Sequence, residues 1–560
     1  MNNDEDATFD IIVLGTGLTE SIAAAALSKA GYKVAHLDRN EYYGSGEASL
    51  SFEEFIKWQD KLQPFIRGAS RSGDSIEQAR AYSISLSPSL IPSTGPLIDA
   101  LVASGVSRYG GFRLIERVCV YEPSGIVKPV PGSKEDIFKN KDISLLDKRR
   151  LMRFLMFAAG DLEDKKELEG HADSPFPEFL KAVFSLNEEM TGAIAYALAY
   201  CLSPTDPTLP ALHRLRRYLR SAGRYGASPF LVGHYGSSGE IAQGFCRTAA
   251  VSGAVYILGR NLSEMTISSS DHQHVVQLDD FDGRLTASLV IHGSSYAPLY
   301  ASPVPPPQVL SAPFSALSPN YPVARCVAII DRPLSLGVPA TQSVEGEEAA
   351  DAPPPPVPDT AVIVFPPGSL SNGGSSTAPA TVLIVGEGTM SCPKGKWIVY
   401  LALPLVDTNF NSDSTGAAPD PRVLLQPGAL PDPRALLQPY LDAVLALALP
   451  SPGHEADSPQ TPPTPLFSTF YVQTPHRYVR GPPSTDDEPG AHEHLAPVPL
   501  PPVFPLPDAG DAAAVHAESV FWEAVRVLKM ARGGGEGEEE ITSMWPPMES
   551  REEEEEEDFS

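Results

Sequence analysis

The stretch Phe9–Gly46, FDIIVLGTGLTESIAAAALSKAGYKVAHLDRNEYYGSG, reads as one complete strand, glycine turn, helix and second strand, and its reading decides the fold. Ile11 to Leu14 is a continuous apolar run rich in β-branched residues, as a parallel strand buried on both faces requires. Gly15 permits a tight turn and Gly17 a close backbone approach. Ile22 to Leu27 is an alanine-rich helix whose short side chains can lie against a sheet. Gly31 ends that helix, Tyr32 to Leu37 returns as the second strand, and Asp38 stands where a dinucleotide fold places the acid that grips a ribose. One position departs from G-x-G-x-x-G: counted from Gly15, the third glycine is Glu20. A carboxylate there competes with pyrophosphate for the positive end of the helix. The expectation is a dinucleotide-type fold that binds no cofactor, with a working flavin or nicotinamide site as the competing reading.

At 560 residues the chain has room for two to four domains. Its 57 prolines are about twice average usage, so part of the chain is expected not to pack. The formal charge is −28, of which the tail from Gly533 to Ser560 supplies −11, and this balance argues against nucleic acid as a partner. Five cysteines (Cys119, Cys201, Cys246, Cys326, Cys392) show no C-x-x-C spacing, and neither a zinc site nor a disulfide framework is suggested. The acidic N-terminus lacks a signal peptide's basic and apolar regions, and no apolar run approaches the ~20 residues of a membrane span. A cytosolic protein is expected. The ending EEEDFS is no prenylation box.

Downstream, Ser51 and Glu54 form a capping-box pattern ahead of a helix carrying Phe52, Phe55 and Ile56. From about Ile137 the pattern turns helical: LLDKRRLMRFLMFAAGDL, FPEFLKAVFSL, NEEMTGAIAYALAYCL and PALHRLRRYLRSAGRYG. The third of these is rich in small residues, among them Gly192, Ala193 and Ala197. Close helix packing and a lipid-sized groove both account for them. Sheet patterning resumes after Tyr235, with strands expected over 253–258, 285–292, 326–330, 360–365, 381–385, 397–403 and 465–472. The fold class expected is α/β: a Rossmann-type βαβ, multi-sheet domain with a smaller all-helical domain inserted. The divisions are 1–135 and 227–475 for the sheet domain and 136–226 for the helices. Residues 476–560 form a Pro-rich linker, a helix over 513–531 and an acidic tail. Disordered Pro-rich and acidic insertions are expected at about 300–320, 340–380 and 408–435.

No catalytic set emerges: there is no G-x-S-x-G, H-E-x-x-H or P-loop. The H-x-H pairs, His272 with His274 and His492 with His494, have no further ligands nearby, so no metal is expected. In GHYGSSGEIAQGFCR, residues 233–247, Glu240 and Arg247 fall seven apart, two turns along one helical face. They read either as a solvated pair or, beside Tyr43, as a protein-docking surface.

Taken together, FDIIVLGTGLTES, LDRNEYYG, SPFLVGHYGSSGEIAQGFCR and AVSGAVYILGR resemble the Rab GDP-dissociation inhibitor and escort protein superfamily. Weaker collinear matches run through VSRYGGFRLIERVCVYEPSGIVKPVPGSKEDIF, DKRRLMRFLMF and VIHGSSYAP. The resemblance is dense over about 9–335 and sparse to about 472. It implies a flavoprotein-like domain without its cofactor and a helical domain that shelters a geranylgeranyl chain, its weak candidates here being Gly192, Ala193 and Ala197. It places Rab binding at Tyr43, Glu240, Gln243, Gly244 and Arg247. The region receiving the Rab C-terminus falls near Arg108, Tyr109 and Phe112. EASLSFEEF after YYG, the FCR ending and SCPKG resemble the escort branch more than the recycling inhibitors; YGSSGEIAQ departs from the family pattern. The implied role is a non-catalytic accessory of Rab geranylgeranyltransferase. Its implied partners are GDP-bound Rab GTPases, the transferase αβ heterodimer and the geranylgeranyl lipid, with transient membrane association. A recycling inhibitor and an FAD-dependent amine-oxidase-like enzyme are the alternatives.

Overall fold

Ile11, Ile12, Val13 and Leu14 have no solvent exposure at all, because the strand they form has a neighbour on each edge and a layer on each face. In the computed structural model this strand, Ala7–Leu14, pairs in parallel with Val34–Asp38 on one side and Arg284–His292 on the other. The structure describes residues 6–61, 66–131, 134–141, 143–163, 165–268, 273–281, 283–293, 296, 321–337, 357–406, 431–449, 463–474, 494–495, 507–531 and 541–546. Val255–Leu258 extends the sheet in parallel beyond Val34–Asp38, and His274–Leu278 and Leu262–Ile267 continue it antiparallel beyond Arg284–His292. The helix Leu18–Lys29 lies on this sheet. Its alanines are needed because it is covered again, by helices Ser238–Val251 and Ala509–Ala531, leaving Ile22 to Leu27 wholly buried. A longer side chain would hold two of these layers apart.

A second sheet runs, by position, Ile66–Arg71, Phe467–Gln473, Val323–Ile330, Trp397–Pro404, Ala380–Val385, Thr360–Phe365, Arg117–Tyr121 and Val127–Pro129. Both of its faces are covered, which explains strands with no polar alternation. Ala324, Cys326, Ala328 and Ile330 face the helix Pro433–Leu445, while Val327 and Ile329 join the core of the helical segment. That segment comprises Leu145–Ala159, Phe176–Phe184, Glu188–Gly192, the wide π-turn Ala193–Leu198 and Thr208–Ser221. Ser144 and Asn187 cap two of the helices by accepting from Asp147 N and Met190 N, and Phe154, Phe176, Phe179 and Phe184 fill the centre. The Ser51–Glu54 capping box forms as the sequence predicts.

Some expected boundaries change. Residues 297–320 lie outside the described residues, as do 338–356 and 407–430. The insertions expected at 340–380 and 408–435 are nevertheless overdrawn: Thr360–Phe365 is a fully buried strand in the middle of the second sheet, and Pro433 opens a helix capped by Asp432. The run 360–365 was itself read as a strand, so the insertion bounds were drawn too wide around it, and proline density near Pro433 obscured the helix that begins there. The C-terminal region also differs from a linker and tail. His494–Leu495 pairs in parallel with Val290–Ile291, and the last helix begins at Ala509. That helix is a core element, with Ala513, Ala517, Phe521, Ala524 and Leu528 buried against Leu18–Lys29 and Pro96–Ser104. Its start is clasped to the helical segment. Arg217 pairs with Asp508 and lies 3.6 Å from Asp511, and Asp511 also accepts from Leu97 N at 3.1 Å. Ile541–Pro546 returns to the same core instead of staying solvated.

Candidate functional site

The Tyr42-Tyr43-Gly44 loop and the helix Ser238–Val251 meet through two glycines. Gly44 adopts φ +96°, and a Cβ there would lie 2.8 Å from Ala48 Cα and 3.3 Å from Gly239 Cα. A Cβ on Gly239 would lie 2.3 Å from Ser49 N. Backbone therefore packs on backbone at this joint, and no other residue type fits. One turn further along the helix Gly244 receives Val106, whose Cγ1 would be 2.8 Å from a Cβ at that position. The short turn Val106–Arg108 is thereby seated against the same helix.

This anchoring sets the outward face. Gln243 and Arg247 are exposed, and Glu240 is half-buried with its carboxyl pushed up by desolvation. The Arg247 guanidinium lies 4.6 Å from the ring centre of Tyr109, which is itself 56% exposed. Tyr43 packs edge-on against Tyr256 at 5.8 Å, and burial next to Cys246 raises its hydroxyl pKa. Tyr256 is held from below by His36 Nδ1 at 3.2 Å, while His36 Nε2 meets Gly15 O at 2.6 Å. Sequence reasoning missed Tyr256, His36 and Cys246, whose polar atoms carry no motif. Two expected site residues serve packing instead. Gly244 offers no side chain and makes room for Val106, and Phe112 is half-buried in a strand paired with Gly233, turned toward the core. Arg108 is exposed on the turn beside Tyr109.

Beneath the loop, the glycine turn holds carboxylates of the chain itself. Asp38 Oδ2 accepts from Thr16 N (2.8 Å), Thr16 Oγ1 (2.7 Å) and Ser45 Oγ (2.7 Å), and Oδ1 accepts from Asn40 N and Nδ2, both at 2.9 Å. A carboxylate has about four lone-pair sites, so these donors saturate it. Gly44 N donates to Thr16 Oγ1 at 3.0 Å, tying the YYG loop to the same knot. Glu20 folds over the turn: its Oε2 would be 2.5 Å from a Cβ on Gly17, its Oε1 2.7 Å from one on Gly293. Glu47, which the sequence did not single out, lies over Gly17 as well and accepts from Leu18 N at the helix start. Desolvation and mutual repulsion push Glu20 up to about 8, and desolvation pushes Glu47 up to about 7. The helix N-terminus that would hold a pyrophosphate is occupied by these side chains.

The family model described as GDP dissociation inhibitor matches residues 1–339. The chain belongs to this family. Among curated relatives of the GDP dissociation inhibitor match, the Candida albicans protein named Rab proteins geranylgeranyltransferase component A is 31% identical over 408 residues, covering 70% of this chain and 58% of its own length. The Drosophila melanogaster protein of the same name is 33% identical over 325 residues, covering 53% of this chain and 62% of its own. The chain thus spans about three-fifths of the length of these relatives. In fold it is similar to the crystal structure of Rab GDI from Plasmodium falciparum, at TM-score 0.56 and 18% identity over 93% of this chain and 98% of that one. It is also similar to an oxidoreductase from Methanosarcina mazei, at TM-score 0.51 and 16% identity over 92% and 100% of the two chains. A GDP dissociation inhibitor family member thus carries an α/β, flavoprotein-like architecture.

In this family member a cavity of about 1050 Å³ opens between the helical segment and the second sheet. Its apolar wall includes Ile137, Leu151, Leu155, Gly192, Ala193 and Ile194. Ala197, expected beside Gly192 and Ala193, is wholly buried away from it. The helix that contributes Leu151 and Leu155 also presents Leu145, Leu146 and Met156 to solvent, with Phe138 exposed near its start. No sequence motif marked this apolar face. Among the described residues no group of three His, Cys, Asp or Glu is placed to hold a metal, and no helix is long and apolar enough to cross a membrane.

Proposed function

We propose that this chain is a Rab escort protein: a non-catalytic accessory that holds a GDP-bound Rab GTPase, presents it to Rab geranylgeranyltransferase and shelters the attached lipid. The observation that carries the reading is the Gly44–Gly239 joint. It brings Tyr43 onto one surface with Glu240, Gln243 and Arg247, and Tyr109 and Arg108 adjoin them. An aromatic and arginine cluster of this kind suits a protein partner. The names of the curated relatives support the transferase connection.

The cavity exceeds the usual 300–1,000 Å³ of small-molecule sites, which suits a long isoprenoid. The apolar face of Phe138, Leu145, Leu146 and Met156 lies on the outer side of the cavity's own wall. It is assigned to the transferase αβ heterodimer, since a subunit seated there adjoins the helix that walls the cavity proposed for the newly attached lipid. Saturated Asp38 and the carboxylates of Glu20 and Glu47 support a chain that uses no flavin or nicotinamide. A cytoplasmic protein with transient membrane contact follows from this role. The test is reconstitution: purified αβ transferase should prenylate a Rab GTPase only when this chain is added. A chain that only extracts prenylated Rab from membranes would be a recycling inhibitor, and a stoichiometric flavin spectrum would overturn the reading altogether.

A further inference from the structure

Arg108 and Arg247 form a cationic spot on an acidic protein. Neither has a carboxylate partner among the described residues, and Arg247 rests on Tyr109 instead of an acid. The opposite side of the same helix receives the segment Ile541–Pro546. Met544 is buried in the apolar cluster with Ile241 and Phe245, and Trp545 stacks on Phe245 with ring centres 6.0 Å apart. The sequence after Pro546, PMESREEEEEEDFS, residues 547–560, carries eight carboxylates and one arginine.

Phe245 and Arg247 are two residues apart and so lie on opposite sides of a helix roughly 10–12 Å across. Fourteen residues reach up to roughly 46–50 Å when extended. Trp545 thus fixes the origin of a polyanion within easy reach of the two arginines, at an effective concentration in the millimolar range. We infer that segment 547–560 docks in cis on the Arg108–Tyr109–Arg247 face and competes there with the protein partner. This rests on the reading of that face as a GTPase platform. Because the contact is between exposed charges, screened over about 8 Å at physiological salt, it weakens as salt rises.

The test compares the full chain, a chain truncated after Pro546, and a full chain with Glu552 to Glu557 replaced by glutamine. Each is titrated with an unprenylated, GDP-loaded Rab GTPase at about 50 mM and about 500 mM salt. The two altered chains are expected to bind about 3–10-fold more tightly at low salt, and all three alike at high salt. A fluorescein-labelled peptide of residues 547–560 should bind the truncated chain at low salt and lose that binding with Arg108→Glu plus Arg247→Glu. Unchanged or weaker GTPase binding after truncation, or a peptide that does not bind, overturns the proposal. If the peptide docks but no form binds the GTPase, the cis contact stands and the platform reading falls.

Discussion

The Arg247 guanidinium sits 4.6 Å from the ring centre of Tyr109, joining a helix that carries one expected binding motif to a turn that carries another. A cation over an exposed ring contributes about 0.5–1 kcal/mol. Tyr109→Leu is therefore expected to weaken binding of a GDP-loaded Rab about 2–5-fold by titration calorimetry. Arg247→Glu, which also reverses charge at the centre of the face, is expected to cost about 2–5 kcal/mol. Affinity unchanged by Arg247→Glu would remove this surface as the platform.

Gly239→Ala tests the joint itself. Its Cβ would meet Ser49 N at 2.3 Å, a backbone atom that cannot swing aside. Thermal unfolding should show a loss of about 2–4 kcal/mol, and GTPase binding should fall with it. Gly253→Ala is the control for a φ-strained glycine with nothing near its Cβ position, so strain alone acts there.

Glu20 predicts a pH dependence. Burial pushes its pKa up to about 8 in the folded chain, against an ordinary carboxylate value of 4.5, so the folded state holds the proton more tightly. That contribution is complete below pH 4.5 and is lost as pH rises through about 8. Glu20→Gln should therefore flatten the fall in stability between these values and stabilise the chain at pH 8, by about 1–3 kcal/mol after allowance for its partial solvent contact. A denaturant series at pH 5, 6.5 and 8 reads this directly. Identical pH slopes for variant and wild type would show that Glu20 is ionised throughout.

Ala193→Phe projects a ring into the cavity. Affinity for a fluorescent geranylgeranyl analogue should drop at least about tenfold, while binding of unprenylated Rab stays the same. Equal loss of both would mean that the cavity is not a separate lipid site.

Phe138→Asp together with Met156→Asp places charge on the exposed apolar face, with little folding cost for residues already in solvent. Stimulation of Rab prenylation by the αβ transferase should be abolished with Rab binding intact. Full stimulation would place the transferase elsewhere.

Much of this was legible in the residues. Ile11 to Leu14, the glycine turn and the alanine run specify a buried βαβ unit by local pattern, and Ser51 with Glu54 caps a helix from four residues alone. Glu20 announced by its position that the turn holds a carboxylate. The capture of Leu18 N by Glu47 was not legible, because it depends on how the YYG loop folds back. Tyr256 and His36 beneath Tyr43 were equally silent, since a strand shows which side chains alternate but not which distant ring they meet. The final helix was legible as a helix over 513–531, but its burial at the centre of the first sheet's helix layer was not.

By itself the sequence determined the types of element and the loss of the third glycine, because short-range sterics, periodicity and charge act between neighbours in the chain, and its resemblance to a known family supplied the residues proposed for the platform. The tertiary structure decided which of those residues share a surface. Gly44 and Gly239 bring Tyr43 beside the Glu240–Arg247 helix, and Gly244 seats the turn beside Tyr109. Each is a close approach between segments far apart in sequence, set by packing density and not by local preference.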